Sequence, residues 1–156
     1  MLCRNEKMNI RQATAEDLAE WLRMHLALWP YEPLEEHEAE IRDMLINDAN
    51  RTTFVIERED GGLQGFIELS IRSYAEGCLT DRVGYIEGWY VDEDARLQGV
   101  GRALVEAAER WAMSQGCIEM ASDTELANTA SQKAHAQLGY EEMERIVCFR
   151  KPLPLR

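Results

Sequence analysis

Cysteine pairs are missing from this 156-residue chain. Its four cysteines, Cys3, Cys78, Cys117 and Cys148, stand far apart with no C-x-x-C spacing, and only three histidines accompany them. That pattern argues against both a structural metal and a disulfide scaffold. Basic residues are scarce as well. With 17 Lys+Arg against 29 Asp+Glu the formal charge is −12, which repels nucleic acid and anionic membrane on average and attracts a cationic small molecule. Nowhere do 18 apolar residues follow one another, and Met1 to Lys7 holds no apolar run of signal-peptide length. The expected setting is a reducing cytoplasm. What is present is a hydrophobic fraction of 46% with 29% charged residues, the balance of a core-forming protein of one domain. Residues 1–7 are polar and irregular and read as a loose leader. The single domain is expected over residues 8–156.

Met8 to Gln12 reads as a short strand, and Thr14 with Glu16 and Asp17 as a capped helix start. Leu18, Trp21, Leu22, Leu28 and Trp29 then recur at helical spacing until Pro30 ends the run. A second helix is expected from Leu34 to Ile46, its many acids forming a solvated face. Thr52 to Arg58 and Leu63 to Arg72 flank an acidic glycine turn and read as a hairpin, with Ile67, Leu69 and Ile71 on one face. Val83 to Val91 is apolar on both sides, which suggests a central strand, and Gly88 inside it suggests a bulge or a close backbone approach. Val100, Leu104, Ala107, Ala108 and Trp111 mark a third helix. Cys117 to Ala121 reads as a strand, Asn128 to Leu138 as a helix stopped by Gly139, and Tyr140 to Lys151 as a last strand. The order is β-α-α-β-β-β-α-β-α-β, which implies an α/β (α+β) fold with a mixed, mostly antiparallel central sheet flanked by helices.

One segment carries chemistry. Arg96-Leu97-Gln98-Gly99-Val100-Gly101 follows the buried strand and opens a helix. Backbone N–H groups there can converge on a negative ligand at the positive helix end, and Gly99 and Gly101 remove side chains where a phosphate would press. The spacing is neither that of a dinucleotide-binding fingerprint nor that of a P-loop.

This turn resembles the acetyl-CoA signature R/Q-x-x-G-x-G/A of the GNAT acyltransferases, and the resemblance covers nearly the whole chain from Met8. It implies acetyl-CoA as co-substrate and no metal. The pyrophosphate would lie on the backbone of Gln98, Gly99, Val100, Gly101 and Arg102, beside Arg96 and Leu97. The pantetheine arm would run along Trp89, Tyr90 and Val91 and meet Asn128, which can also cap its helix. Where many members carry a tyrosine able to protonate the leaving thiolate, this chain has His135, a possible general acid.

Further segments are similar to the aminoglycoside 6′-N-acetyltransferases: Leu28-Trp29-Pro30, Tyr74-Ala75-Glu76-Gly77-Cys78, Ile86-Glu87-Gly88, Ala121-Ser122-Asp123 and Glu144-Arg145-Ile146-Val147. The loop departs from that group at Ala75-Glu76 and Asp81-Arg82, which bears on acceptor preference. The resemblance implies that Trp29 and Tyr74 contact the sugar rings while Glu87, Asp123 and Glu144 hold ammonium groups. Glu87 is the preferred proton acceptor and Asp123 its competitor. A backbone N–H near Tyr90 or Val91 would stabilise the oxyanion. A homodimer is implied by resemblance alone. Two other readings stay open: a GNAT enzyme for another amine, such as a polyamine or a protein N-terminus, and a non-catalytic acyl-CoA-binding module.

Overall fold

The computed structural model describes residues 8–156, so the leader expected at Met1 to Lys7 and the cysteine within it, Cys3, lie outside the described residues. Strand β1 (Ile10–Gln12) pairs antiparallel with β2 (Arg51–Glu57), β2 with β3 (Leu63–Arg72), and β3 with β4 (Val83–Val91). The fifth strand, β5 (Met120–Ser122), runs parallel to β4, and the sheet order is β1-β2-β3-β4-β5. The change of direction follows from the connections. A short turn joins the antiparallel pair β2 and β3, whereas the parallel pair β4 and β5 needs a crossover, made here through a helix.

Helices α1 (Leu18–Leu28) and α2 (Leu34–Met44) pack on each other and on β3 and β2, while α3 (Val100–Ser114) packs on β2, β3 and β4. Trp21, Met24, Ile41, Val55, Leu63 and Phe66 are buried together under α1 and α2. Across the sheet Leu104 lies against Gly65, and Ala112 against Gly84. Helix α1 starts after a short 3₁₀ turn (Ala15–Asp17), where the Thr14 N–H donates to the Asp17 carboxylate at 2.8 Å. The same carboxylate takes two hydrogen bonds of 2.8 Å from Arg11, which hold its pKa below the ordinary aspartate value despite burial.

By contacts the chain divides into two compact units, one ending at Asp123 and one running from Thr124 to Arg156. The second unit contains α4 (Thr129–Gln137), with Asn128 at its N-cap, where the side-chain oxygen accepts from the Ser131 N–H at 3.0 Å. Residues 140–156 form no strand, which corrects the last strand expected at Tyr140 to Lys151. The segment has β-formers such as Ile146, Val147 and Phe149, yet a strand is completed only by a hydrogen-bonded neighbour, and no such ladder forms there.

A charged hub braces the end of β4. Asp92 is buried, and its carboxylate accepts two bonds of 2.9 Å from Arg23 of α1 and one of 2.8 Å from Arg58, which also grips Asp94. Burial pushes the Asp92 carboxyl up, but hydrogen bonds from the two arginines outweigh it and hold the pKa below the ordinary value. The hub therefore stabilises the fold fully above the unfolded aspartate pKa of about 3.9, and that stability is lost as pH falls through the lower folded value. Asp92→Asn is expected to cost about 1–2 kcal/mol near neutrality, since both arginines are partly solvated, and to blunt the acid limb of thermal melting curves recorded from pH 6 to pH 2.

Candidate active site

The centre of the site is an irregularity in β4. Glu68 of β3 pairs with Gly88 and Leu69 with Ile86, so Glu87 is an extra residue in the ladder. Such a bulge moves every later side chain to the other face. Gly88 consequently faces α1: a Cβ there would sit 2.6 Å from Trp29 Cη2 and 3.4 Å from Glu68 Oε2. Trp89 turns toward α3, where a Cβ on Gly101 would come within 3.0 Å of its ring. Tyr90 returns to the α1 face and stacks on Phe66 at 6.2 Å. Both sequence readings of Gly88, the bulge and the close approach, hold together here.

Pairing between β4 and β5 covers only Gly84 to Ile86 with Met120 to Ser122. From Glu87 onward, β4 has no partner in β5. Asp92 to Ala95 then turn the chain, with the Ala95 N–H donating to the Asp92 carbonyl, and the glycine turn follows. Leu97 has φ 61° and Gly99 φ 83°, both left-handed, and α3 begins at Val100. The first-turn N–H groups of α3 lie before any carbonyl of their own helix four residues back. Space over the turn is open: Leu97 is wholly exposed, and a Cβ at Gly99 would meet only Met8 Cε, at 3.8 Å. Arg96, exposed beside the turn, donates its Nε–H to the Val91 carbonyl at 2.9 Å. Gly101 has a reason beyond the phosphate expected from sequence, namely the approach of the Trp89 ring.

On the α1 side of the sheet lies a cavity of about 370 Å³ lined by Trp29, Glu32, Glu40, Asp43, Met44, Glu68 and Glu87. Five of those seven residues are acids and none is basic. Burial first and then the neighbouring Glu32 raise the Glu40 carboxyl pKa. Glu87 accepts from the Ser70 hydroxyl and from Arg72 Nε and Nη2, at 2.9 and 2.6 Å. Arg72 also lies 3.5 Å over the ring of Tyr85, whose hydroxyl bonds Asp123. Burial raises the Tyr85 hydroxyl pKa well above its ordinary value. A row Glu87, Arg72, Tyr85, Asp123 thus runs along one face.

Of the residues expected for the acceptor, Trp29 and Glu87 line the cavity, Asp123 is exposed at the end of β5, and Tyr74 is exposed in the loop before β4. In the second unit Glu144 is exposed. His135 Nδ1 lies 2.7 Å from the Ser131 carbonyl oxygen, and its ring meets Tyr140 edge-on. Sequence reasoning missed Glu68, Glu32, Glu40 and Asp43. The α2 acids carried the signal, but a charge run on a helix reads as a solvated face until its neighbours are known.

Residues 16–140 match the acetyltransferase (GNAT) family, and the chain belongs to it. The fold is the GNAT fold, a five-strand mixed sheet with four helices, and the site is that of an acetyl-CoA-dependent acyltransferase. An aminoglycoside N(6′)-acetyltransferase type 1 of Klebsiella aerogenes is 48% identical over 146 residues, covering 92% of this chain and 96% of that protein. Its counterpart from Serratia marcescens is 42% identical over 139 residues, covering 88% and 94%. Among solved structures, the aminoglycoside acetyltransferase AAC(6′)-Iy with the bisubstrate analogue CoA-S-monomethyl-acetylneamine superposes with TM-score 0.88 at 38% identity, covering 95% of this chain and all of that one.

Gly88→Ala is the sharpest test of this geometry. The added methyl must displace the Trp29 ring or spread the bulge, and the expected cost is about 1–3 kcal/mol in thermal or denaturant unfolding. A variant as stable as the parent would show that the ring yields freely.

Proposed function

We propose that the chain is an aminoglycoside 6′-N-acetyltransferase that moves acetyl from acetyl-CoA to the 6′-amine and thereby confers resistance to the antibiotic. The observation that carries the reading is a cavity walled by five carboxylates beside an aromatic ring, on one face of the strand that leads into an open glycine turn. A polycationic amino sugar is the complement of that wall, because its ammonium groups need fixed acids and its ring faces need an apolar surface. The relatives named above support the same acceptor, and the coenzyme A analogue bound by AAC(6′)-Iy supports the co-substrate.

In this reading the diphosphate lies on the backbone of Gln98 to Arg102, with the pantetheine along Trp89 to Val91 and against Asn128. Trp29 and Tyr74 take the sugar rings, and Glu87, Asp123 and Glu144 take ammonium groups. Both oxygens of Glu87 already accept from Arg72, which suits it to anchoring the acceptor more than to removing its proton. A backbone N–H of Tyr90 or Val91 polarises the thioester carbonyl, and His135 is the nearest candidate in sequence for protonating the thiolate. We also infer a reducing cytoplasmic setting, in keeping with Cys78, Cys117 and Cys148 as free thiols, and a homodimer. In the C-terminal stretch Ile146, Val147, Phe149 and Leu153 are exposed, apolar surface suited to a second copy.

The test is thiol release with acetyl-CoA over kanamycin, tobramycin, an aminoglycoside bearing a 6′-hydroxyl, a polyamine and a peptide N-terminus. Turnover with the 6′-amino compounds alone is expected; equal turnover with the 6′-hydroxyl compound sinks the assignment, and coenzyme A binding without any turnover would favour the binding module. For the turn itself, Gly99→Val is expected to weaken coenzyme A binding at least tenfold by calorimetry, since a β-branched residue fits neither φ 83° nor a phosphate held against the backbone. Unchanged affinity would make the turn purely structural.

A further inference from the structure

A second carboxylate of the cavity is built differently from Glu87. Glu68 sits in the middle of β3, only 6% exposed, under α1 and α2. Its Oε1 accepts from the Trp21 indole N–H at 2.8 Å and lies 2.7 Å from His25 Nε2. His25 Nδ1 in turn lies 3.1 Å from His37 Nδ1. Both histidines are fully buried, and His37 Nε2 has no partner.

The proton positions in this row follow from its first member. An ionised Glu68 only accepts, so His25 presents Nε2–H to it and offers the Nδ1 lone pair to His37 Nδ1–H. That leaves a lone pair rather than an N–H at the buried His37 Nε2, the less costly group to leave unpaired. Each of the two hydrogen bonds to Glu68 goes to the same oxygen. Its other oxygen, Oε2, has neither of these bonds and lies 3.4 Å from where a Cβ on Gly88 would sit, across the ladder from the bulge, and Glu68 lines the cavity. A carboxylate held rigidly by one oxygen, with the other presented to an acidic pocket, is arranged to take a proton from a guest. Glu87, clasped by Arg72 and Ser70, is not.

We propose that Glu68 is the proton acceptor for the incoming amine, with Trp21, His25 and His37 as the residues that position it. This rests on the acyl-transfer reading above. The acceptor R–NH₃⁺ gives one proton to Glu68 Oε2, and the freed nitrogen lone pair attacks the thioester carbon. The C–N bond forms, the tetrahedral intermediate collapses with C–S cleavage, and the second nitrogen proton neutralises the coenzyme A thiolate. Glu68 returns its proton to water as the amide leaves, so the net products are amide, thiol and one proton. The groups that face Glu68 and share its field are His25 from α1, His37, Glu40 and Asp43 from α2, Glu32 before α2, and Glu87 with its partner Arg72.

The experiment measures kcat and KM for the full-length protein and for Glu68→Gln between pH 6.5 and 9.5, with a 6′-amino aminoglycoside and acetyl-CoA, alongside coenzyme A calorimetry and melting curves. The expected result is a fall in kcat of about 100-fold or more at pH 7, the range of general-base contributions, with coenzyme A affinity kept. The deficit should shrink toward pH 9.5, where the amine loses its proton unaided. Glu68→Asp, which keeps the carboxylate one methylene further back, should lie between the two and keep the parent's pH profile. The proposal is overturned if Glu68→Gln turns over within threefold of the parent at pH 7, or if its deficit is the same at every pH. Should Glu68→Gln not fold, a Glu68→Asp protein that folds yet is inactive at all pH values overturns it equally, and one active with the parent's profile supports it. A parent protein with no amine turnover at all would instead defeat the acyltransfer reading on which the proposal stands.

Discussion

One extra residue in β4 governs the whole active face. In a regular strand Tyr85 and Glu87 would share a face with Trp89, and Gly88 would point with Ile86 toward α3. The bulge at Glu87 breaks that alternation, so Glu87 and Gly88 both face α1 while Trp89 is handed to α3 and Tyr90 returns to Phe66. Three placements depend on it. Trp29 can close over Gly88, Glu68 can present Oε2 beside a residue without a side chain, and Trp89 can fill the space that Gly101 leaves in α3.

The acids of the cavity divide into two kinds by their surroundings, not by their spacing. Glu87 is paired with a cation on the rim, and Asp43 with Arg51 likewise. Among the described residues Glu68 pairs with no arginine or lysine; it is held by an indole N–H and an imidazole in a place almost closed to water. Burying a carboxylate is costly unless it is hydrogen-bonded, and Trp21 and His25 supply those bonds on the protein side only. A guest ammonium supplies the rest. The same reasoning gives the chain's formal charge of −12 a local meaning, since two of the five cavity acids, Glu40 and Asp43, are α2 residues that would otherwise belong to an ordinary solvated helix face.

Much of this was legible in the residues themselves. The span Val83 to Val91, the bulge beside Gly88, the glycine turn and the capping Asn128 each have a local cause, and each stands where the pattern put it. Glu68 was not legible, because in Leu63 to Arg72 it falls on the polar phase of an alternating hairpin arm and reads as solvent-facing. Only the packing of α1 and α2 over that face buries it. His25 and His37 are hidden for the same reason: two lone helical histidines twelve residues apart meet only when α1 and α2 fold together. The terminal strand failed in the opposite direction. Its β-forming residues describe what the segment can pair with, and propensity cannot supply the partner.

The two halves of the proposed reaction are prepared on opposite faces of one strand. The glycine turn leads into α3 on one side of β4, and the acidic cavity with Glu68 opens on the other. A sheet normally separates its faces completely, since each strand is hydrogen-bonded on both edges. Here that seal ends at Ile86, where β5 leaves the ladder. From Glu87 to Val91 the strand is paired with β3 and no longer with β5. A thioester reaching along that side from the turn comes level with Gly88, where the Trp29 ring and Glu68 Oε2 approach the backbone. The parting of β4 and β5 therefore fixes where an acyl group can cross, and the bulge fixes which carboxylates are waiting when it does.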